Sequence, residues 1–527
     1  MTATAIPVDT ASAYRPAWLT DARLASLLRW VAVPASGGAG TTAAAAPYDA
    51  LPTVAVPAGT PADVEAAVAR ARIAQKAWAA LSHGARAQVV LRFHDLLVEG
   101  QDEVMDLVQW ETGKARRHAR QEVLQVATLA HHYARHGHAY LEDRPVRPAV
   151  PVVTRAREIR VPKGVVGIIA PWNSPLYLGV GDLVAALLAG NAVVGKADEQ
   201  TPLTLLWARA LLAEAGLPED VWQVVCGDGP TIGEAVVDTA DHVCFTGSTA
   251  SGRRVAERAA RRLVGVSLEL GGKNSLIVRA DADLALAARG TVEAAFANSG
   301  QLCAHIERVI VHEAVHDAFT EALLAATSAQ RLGQGFDFTH DVGPLASQAQ
   351  LNRVRAHVAD AVAKGATVLA GGRARPDLGP FAYQPTVLTG VTEDMDLCLG
   401  ETFGPVVALH RAADDAAAVA AANRGRRGRS VGIFSRNVAE AEAMARRIRA
   451  GAVGINDGAA LAAPMGGRGQ SGLGRRHGAE GIRKYTDAQT VVTSRVGPVG
   501  PAPGTRVESL VALGNRQLRL LRRLGIR

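Results

Sequence analysis

"GVVGIIAPWNSPLYLGVGDLVAALLAGNAVVGKA", residues 164–197, decides the fold. It opens on a β-branched run, "GVVGIIAP", passes through a helical "DLVAALLAG", and returns to a second apolar run, "NAVVGKA". Two short runs of this kind separated by a helix read as a βαβ unit, whose strands must be parallel. The alternation continues downstream. "TPLTLLWARALLAEAGLP" is a helix closed by Gly216 and Pro218, "VWQVVCG" a strand, "PTIGEAVVD" a helix, "ADHVCFTG" a strand and "TASGRRVAERAARRL" a helix. This pattern predicts an α/β fold with an open, doubly wound parallel sheet. Ligands of such sheets lie beyond the carboxyl ends of the strands, which directs attention to the loops after "GIIA", "VVGK" and "VCFTG". A second α/β stretch, from about 273 to 460, contains "KNSLIV", "RVIV" and "ATVLAGG".

With 527 residues the chain exceeds one ordinary core, and two or three domains are expected. Apolar residues make up 48% and charged residues 20%, which excludes general disorder. Cys226, Cys244, Cys303 and Cys398 are scattered, so no disulfide framework is expected and a reducing, cytoplasmic compartment fits. The N-terminus, "MTATAIPVDTASAYRPAWLT", lacks the basic start and apolar core of a secretory signal. "VAALLAGNAVV" (184–194) falls short of the roughly 20 residues that span a bilayer. Of the net charge of +7, residues 501–527 carry six arginines against one glutamate, so the body is nearly neutral and no nucleic-acid surface is expected. Residues 1–50, with "PASGGAGTTAAAAP" at 34–47, read as a loose extension. The tail "VESLVALGNRQLRLLRRLGIR" reads as a basic amphipathic helix, solvated or loosely docked rather than a membrane anchor.

Six short stretches carry candidate chemistry. "FANSGQLCAHIERV" (296–309) surrounds Cys303 with small and polar residues, unlike a structural cysteine, and no second Cys lies near enough to share a zinc ion. That leaves a nucleophile, which needs a base elsewhere in the chain. "SLELGGKNS" (267–275) sets Glu269 between two leucines, where burial would raise its basicity toward that of a general base; the alternative is a strand-end acid facing water. Asn173 in "APWNSP" (170–175) is either an oxyanion donor or part of a turn. Lys196 and Glu199 in "VVGKADEQTP" (193–202) suit an adenosine ribose or a solvated turn. Gly247 and Ser248 in "FTGSTASG" suit a phosphate at a helix start or a plain cap, and Glu401 and Phe403 in "LGETFGPV" a sugar and a flat ring or another turn.

Together the stretches "PWNSP", "KADEQTP", "FTGSTASG", "LELGGKN", "GQLC", "ETFGPVV" and "PMGGRGQSGLGRRHG" resemble the NAD(P)-dependent aldehyde dehydrogenases over about residues 55 to 495. "KGVVGIIAPWNSP", "NSGQLCAHIERV" and "GLGRRHGAEGIRKYT" are most similar to a bacterial succinate-semialdehyde dehydrogenase branch. The resemblance implies a cofactor domain at 51–143 and 163–271 with a five-stranded sheet, a catalytic domain at 272–485, and an oligomerisation arm at 144–162 and 486–496, leaving a basic tail at 497–527. It implies a homodimer or homotetramer with an aldehyde as substrate, no metal, and no firm membrane association. It makes Cys303 the nucleophile, Glu269 the general base and Asn173 an oxyanion donor. Trp172, Lys196, Glu199, Gly247, Ser248, Glu401 and Phe403 would bind the cofactor. Glu199 would accept from a free ribose hydroxyl and repel a 2′-phosphate, so NAD is expected over NADP, which the branch analogy favours. A non-catalytic relative and a coenzyme A-acylating enzyme are the rival readings; Glu269 speaks against the second.

Four departures stand out. Arg427 and Arg429, in "ANRGRRGRSVGIF" (422–434), replace the family's Tyr and Leu, and Ala197 follows Lys196 in place of Pro. "GINDGAALAAPMGG" (454–467) is short for the branch. Where some members hold a substrate carboxylate with arginines, this chain has Gly181 and Ala297; His305 and Arg308 are the nearby candidates to replace them.

Overall fold

The computed structural model describes residues 12–33, 40–148, 154–458, 463–494 and 507–523. Its first sheet is built from β1 (Val165–Ile169), β2 (Ala192–Lys196), β3 (Trp222–Val225), β4 (His242–Gly247) and β5 (Gly265–Leu270). These five strands are parallel in the order β5-β4-β1-β2-β3. A two-residue strand, Gly472–Leu473, adds antiparallel to β5 at the edge. Every residue of β1 and β2 is buried, as expected for strands covered on both faces. The order reverses between β1 and β4, so a crevice opens at their carboxyl ends, beside the "PWNSP" and "GSTASG" loops.

β5 passes into β6 (Asn274–Val278) through only Gly271, Gly272 and Lys273. β6 belongs to a second sheet with β7 (Ile306–His312), β8 (Thr367–Ala370), β9 (Thr386–Thr389), β10 (Val406–Ala412), β11 (Ser430–Phe434) and β12 (Ala452–Ile455). Its order is β8-β9-β10-β7-β6-β11-β12, parallel except for β8. The short β5–β6 link sets the carboxyl end of β5 against the amino ends of β6 and β11.

The N-terminal stretch is not loose where it is described. Thr20 caps α1 (Asp21–Leu28), and Leu19, Leu27 and Val31 are buried in the same core as the first sheet. Trp18 Nε1 donates to Asp106 Oδ2 at 3.1 Å, and Val31 bridges to Val224. A few large apolar anchors fix a segment whose average composition reads as linker; residues 1–11 and 34–39 lie outside the described residues.

Residues 142–161 and 488–527 form a separate small unit. It carries a three-stranded sheet in the order Thr486–Ser494, Thr154–Pro162, Arg144–Val146, and a helix, Val507–Arg523, with Val511, Leu518 and Leu520 exposed. Among the described residues no helix is long and apolar enough to cross a membrane.

Candidate active site

Cys303 sits in the loop before β7, at the end of a tight reversal. Asn298 and Ser299 take left-handed backbone angles, φ 52° and 56°. Gly300 follows at φ 71°, where a Cβ would lie 2.0 Å from the Gly404 carbonyl oxygen, so no other residue fits. Hydrogen bonds to three neighbouring segments fix the loop. Asn298 Nδ2 donates to Asn173 O at 2.9 Å, and Ser299 Oγ to Gly343 O at 2.7 Å. Asn274 Nδ2 donates to Cys303 O (2.9 Å) and His305 O (2.8 Å), while its Oδ1 accepts from Ser430 N. Cys303 is half-buried and lines a cavity with Asn173, Tyr177, Leu302, Arg429 and Met465. Burial pushes the Cys226 thiol up to about 12 and that of Cys244 up to about 11, and raises that of Cys398, so these three are poor nucleophiles.

Asn173 follows β1 and faces the same cavity. Its Nδ2 donates to Gln301 O at 2.9 Å, which aligns one amide hydrogen with the Cys303 loop and leaves the other for an oxyanion. Its carbonyl accepts from Lys114 Nζ at 2.8 Å. Lys114 is fully buried and ion-paired with Glu122, which also accepts from Tyr177 N. Burial lowers the lysine pKa against the pull of Glu122. Nothing local in "ETGKARR" distinguishes Lys114, so sequence reading missed it; the partner Asn173 is 59 positions away.

Glu269 is 1% exposed, near the end of β5, and does not face water. Its Oε2 accepts from Arg429 Nη1 at 2.6 Å, and its Oε1 is buried with no hydrogen-bond partner among the described residues. The desolvation expected from its apolar neighbours is present, and so is a counter-charge that was not expected. Arg429 immediately precedes β11, is 3% exposed, and lines the cavity beside Cys303. Its burial opposes the guanidinium charge, but the fields of Cys303 and Glu269 outweigh it and hold the pKa above the ordinary range. Arg429 thus links the candidate base to the candidate nucleophile. Arg427 instead donates weakly to Gly272 O, at 3.4 Å.

The candidate carboxylate-binding residues His305 and Arg308 are otherwise engaged, and neither lines the cavity. His305 Nδ1 is 2.5 Å from Leu302 O and its Nε2 2.9 Å from Glu307 Oε1. Arg308 donates to the carbonyls of Lys273, Ala421 and Ala422. In the 454–467 loop, residues 459–462 lie outside the described residues.

Glu401 and Phe403 are held by a buried hub. Glu307, ion-paired with Lys273, accepts from Thr402 N (2.8 Å) and Phe403 N (2.9 Å). Burial works against this carboxylate, but Lys273 and His305 keep its pKa well below the usual range. Glu401 Oε1 accepts from Gly272 N at 2.9 Å, and burial raises the pKa of Glu401. A Cβ on Gly271 would lie 1.9 Å from Glu401 Oε2, and one on Gly272 2.8 Å from the Cys303 carbonyl oxygen, so neither position has room for a side chain. Phe403, at φ 57°, meets Trp172 edge-on with ring centroids 5.6 Å apart. Lys196 ends β2, buried, its ammonium donating no hydrogen bond among the described residues; Glu199 is exposed on the following turn. Gly247 ends β4, and Ser248 caps the helix Thr249–Arg261, its Oγ accepting from Ser251 N at 3.1 Å. The plain-cap reading of Ser248 therefore holds, and the free amides at that helix start still suit a phosphate.

These groups fit a dinucleotide laid across the carboxyl ends of the first sheet: a buried cation and an exposed acid for one ribose, a helix start for phosphate, and aromatic rings beside a carboxylate near Cys303.

The model of the aldehyde dehydrogenase family matches residues 34–491. A Mycolicibacterium smegmatis protein, provisionally named succinate-semialdehyde dehydrogenase (NADP(+)), is 48% identical over 454 residues, 85% of this chain and 88% of its own length. The crystal structure of PnpE from Pseudomonas sp. WBC-3 superposes with a TM-score of 0.86 at 34% identity, over 90% of this chain and 99% of that one. Betaine aldehyde dehydrogenase from Staphylococcus aureus, solved with NAD+, gives 0.85 at 29% identity, over 90% and 96%.

Proposed function

The chain belongs to the aldehyde dehydrogenase family, and from that premise we propose that it oxidises succinate semialdehyde to succinate through a covalent Cys303 adduct. The observation that supports the chemistry is one cavity lined by Cys303, Asn173 and Arg429, the last of which donates a hydrogen bond to Glu269. The substrate choice is supported by the name of the 48%-identical relative.

Cys303 Sγ, as thiolate, attacks the aldehyde carbon and forms a thiohemiacetal. Asn173 Nδ2 and the Cys303 backbone N–H hold the developing oxyanion, a contact that strengthens as charge moves to oxygen. A nicotinamide dinucleotide held by the residues named below would supply the hydride acceptor; once the adduct carbon has given up its hydride, Cys303 carries a thioester. Glu269 Oε1, with no partner of its own, takes a proton from water as the water adds to the thioester carbonyl. Collapse releases the carboxylic acid and the Cys303 thiolate, and Glu269 then passes its proton to solvent. Lys196 and Glu199 hold the adenosine ribose, Gly247 and Ser248 a phosphate, and Trp172, Glu401 and Phe403 the nicotinamide end. NAD is the preferred cofactor because Glu199 repels a 2′-phosphate. The first sheet serves the cofactor, the second presents Cys303, and the small three-stranded unit mediates a cytoplasmic homodimer or homotetramer. A screen of purified enzyme against aldehydes of differing length and charge, with each cofactor, tests the proposal. Succinate semialdehyde with NAD is expected to give the highest kcat/KM; a neutral aldehyde ranking first would refute the substrate.

A further inference from the structure

Succinate semialdehyde carries a carboxylate at the end remote from its aldehyde. An anion entering a buried cavity needs a cation or a set of donors there. Among the described residues only two lysines or arginines line the Cys303 cavity, Lys114 and Arg429. Lys114 is not available: it is ion-paired with Glu122 and donates to Asn173 O. Residues 459–462, outside the described residues, are Ala-Ala-Leu-Ala and carry no charge. Arg429 differs from Lys114. A guanidinium has five N–H donors, and Arg429 gives a hydrogen bond to Glu269 from Nη1 alone. Its Nε is buried without an acceptor. The Nε–Nη2 edge, which can bind a carboxylate through two parallel hydrogen bonds, therefore makes no hydrogen bond among the described residues.

We propose that Arg429 is the specificity-determining residue of this active site, binding the remote carboxylate of an anionic aldehyde on its Nε–Nη2 edge while Nη1 holds Glu269. The inference rests on the reading of the substrate as a semialdehyde of a dicarboxylic acid. One guanidinium then touches both the substrate and the base, so a correctly charged aldehyde is bound at a fixed place relative to Glu269. A neutral aldehyde leaves that edge empty and gains nothing from it.

The test compares succinate semialdehyde with butanal, a neutral aldehyde of equal carbon count, in the parent, Arg429→Gln and Arg429→Lys. The readout is the ratio of the two kcat/KM values within each protein, which does not depend on how much of a variant is folded. Arg429→Gln is expected to lower the ratio about tenfold or more, chiefly through KM for the semialdehyde. Arg429→Lys, which keeps the charge without the fork, should fall between. A ratio unchanged in Arg429→Gln, with both substrates slowed alike, would overturn the inference: Arg429 would act only through Glu269, and the proposed function would stand. A parent enzyme that prefers butanal would instead remove the substrate reading itself.

Discussion

Glu307→Gln isolates one buried charge. Glutamine keeps the shape of the side chain, and its amide oxygen can still accept from Thr402 N and Phe403 N, which both reach Glu307 Oε1. What it loses is the charge that pairs with Lys273, itself a buried residue, and that also faces His305 Nε2 at 2.9 Å. Breaking a buried pair by neutralising one partner costs about 3–5 kcal/mol. The lysine sets a ceiling on that cost, because it can shed its proton. From an unperturbed pKa of about 10.4, deprotonation at pH 7 costs roughly 4–5 kcal/mol, and at pH 9 about 2 kcal/mol. Burial already lowers the Lys273 pKa with Glu307 opposing it, and the variant removes that opposition. Folded protein then binds fewer protons than unfolded protein below pH 10, so the stability of the variant rises with pH. Denaturant midpoints at pH 7 and pH 9, with hydrogen exchange at the Thr402 and Phe403 amides, measure the effect. The variant should be markedly less stable than the parent at pH 7, and the gap should narrow by about half at pH 9. A gap below about 1 kcal/mol, or one that does not change with pH, would refute the assignment of Glu307 as the hub under the Glu401–Phe403 loop.

Two further outcomes concern the chemistry. Glu269→Gln should slow steady-state turnover by about a hundredfold or more while sparing the first burst of reduced cofactor; a lost burst with turnover retained would place Glu269 before hydride transfer. The parent should favour NAD in kcat/KM, and Glu199→Ser should gain activity with NADP; a parent preferring NADP, or no gain in the variant, would show that Glu199 is not the selector.

The fold was legible because its signals are local. Buried β-branched runs alternating with helices identify the parallel strands, and the glycines at 271, 272 and 300 mark close approaches of chain to side chain or backbone. The site residues were legible as short motifs in fixed order. The groups that position them were not. Lys114 reaches Asn173 across 59 positions, and Glu307 reaches Thr402 across 95. Such pairings depend on three-dimensional closure and leave no periodic trace. Arg429 was visible as a departure from the family, yet only the fold brings it to Glu269, 160 positions away. Composition also misled at the N-terminus, where three buried anchors outweigh a run of small residues.

The central claim is that Cys303 carries the acyl group. Intact-mass spectrometry of Glu269→Gln, mixed with succinate semialdehyde and NAD and quenched in acid, tests it most directly, because the slowed hydrolysis lets the thioester accumulate. The account predicts one added succinyl group located on Cys303, none in Glu269→Gln/Cys303→Ser, and oxidation abolished in Cys303→Ser alone. A succinyl group elsewhere, or Cys303→Ser keeping about a tenth or more of the parent rate, would contradict it.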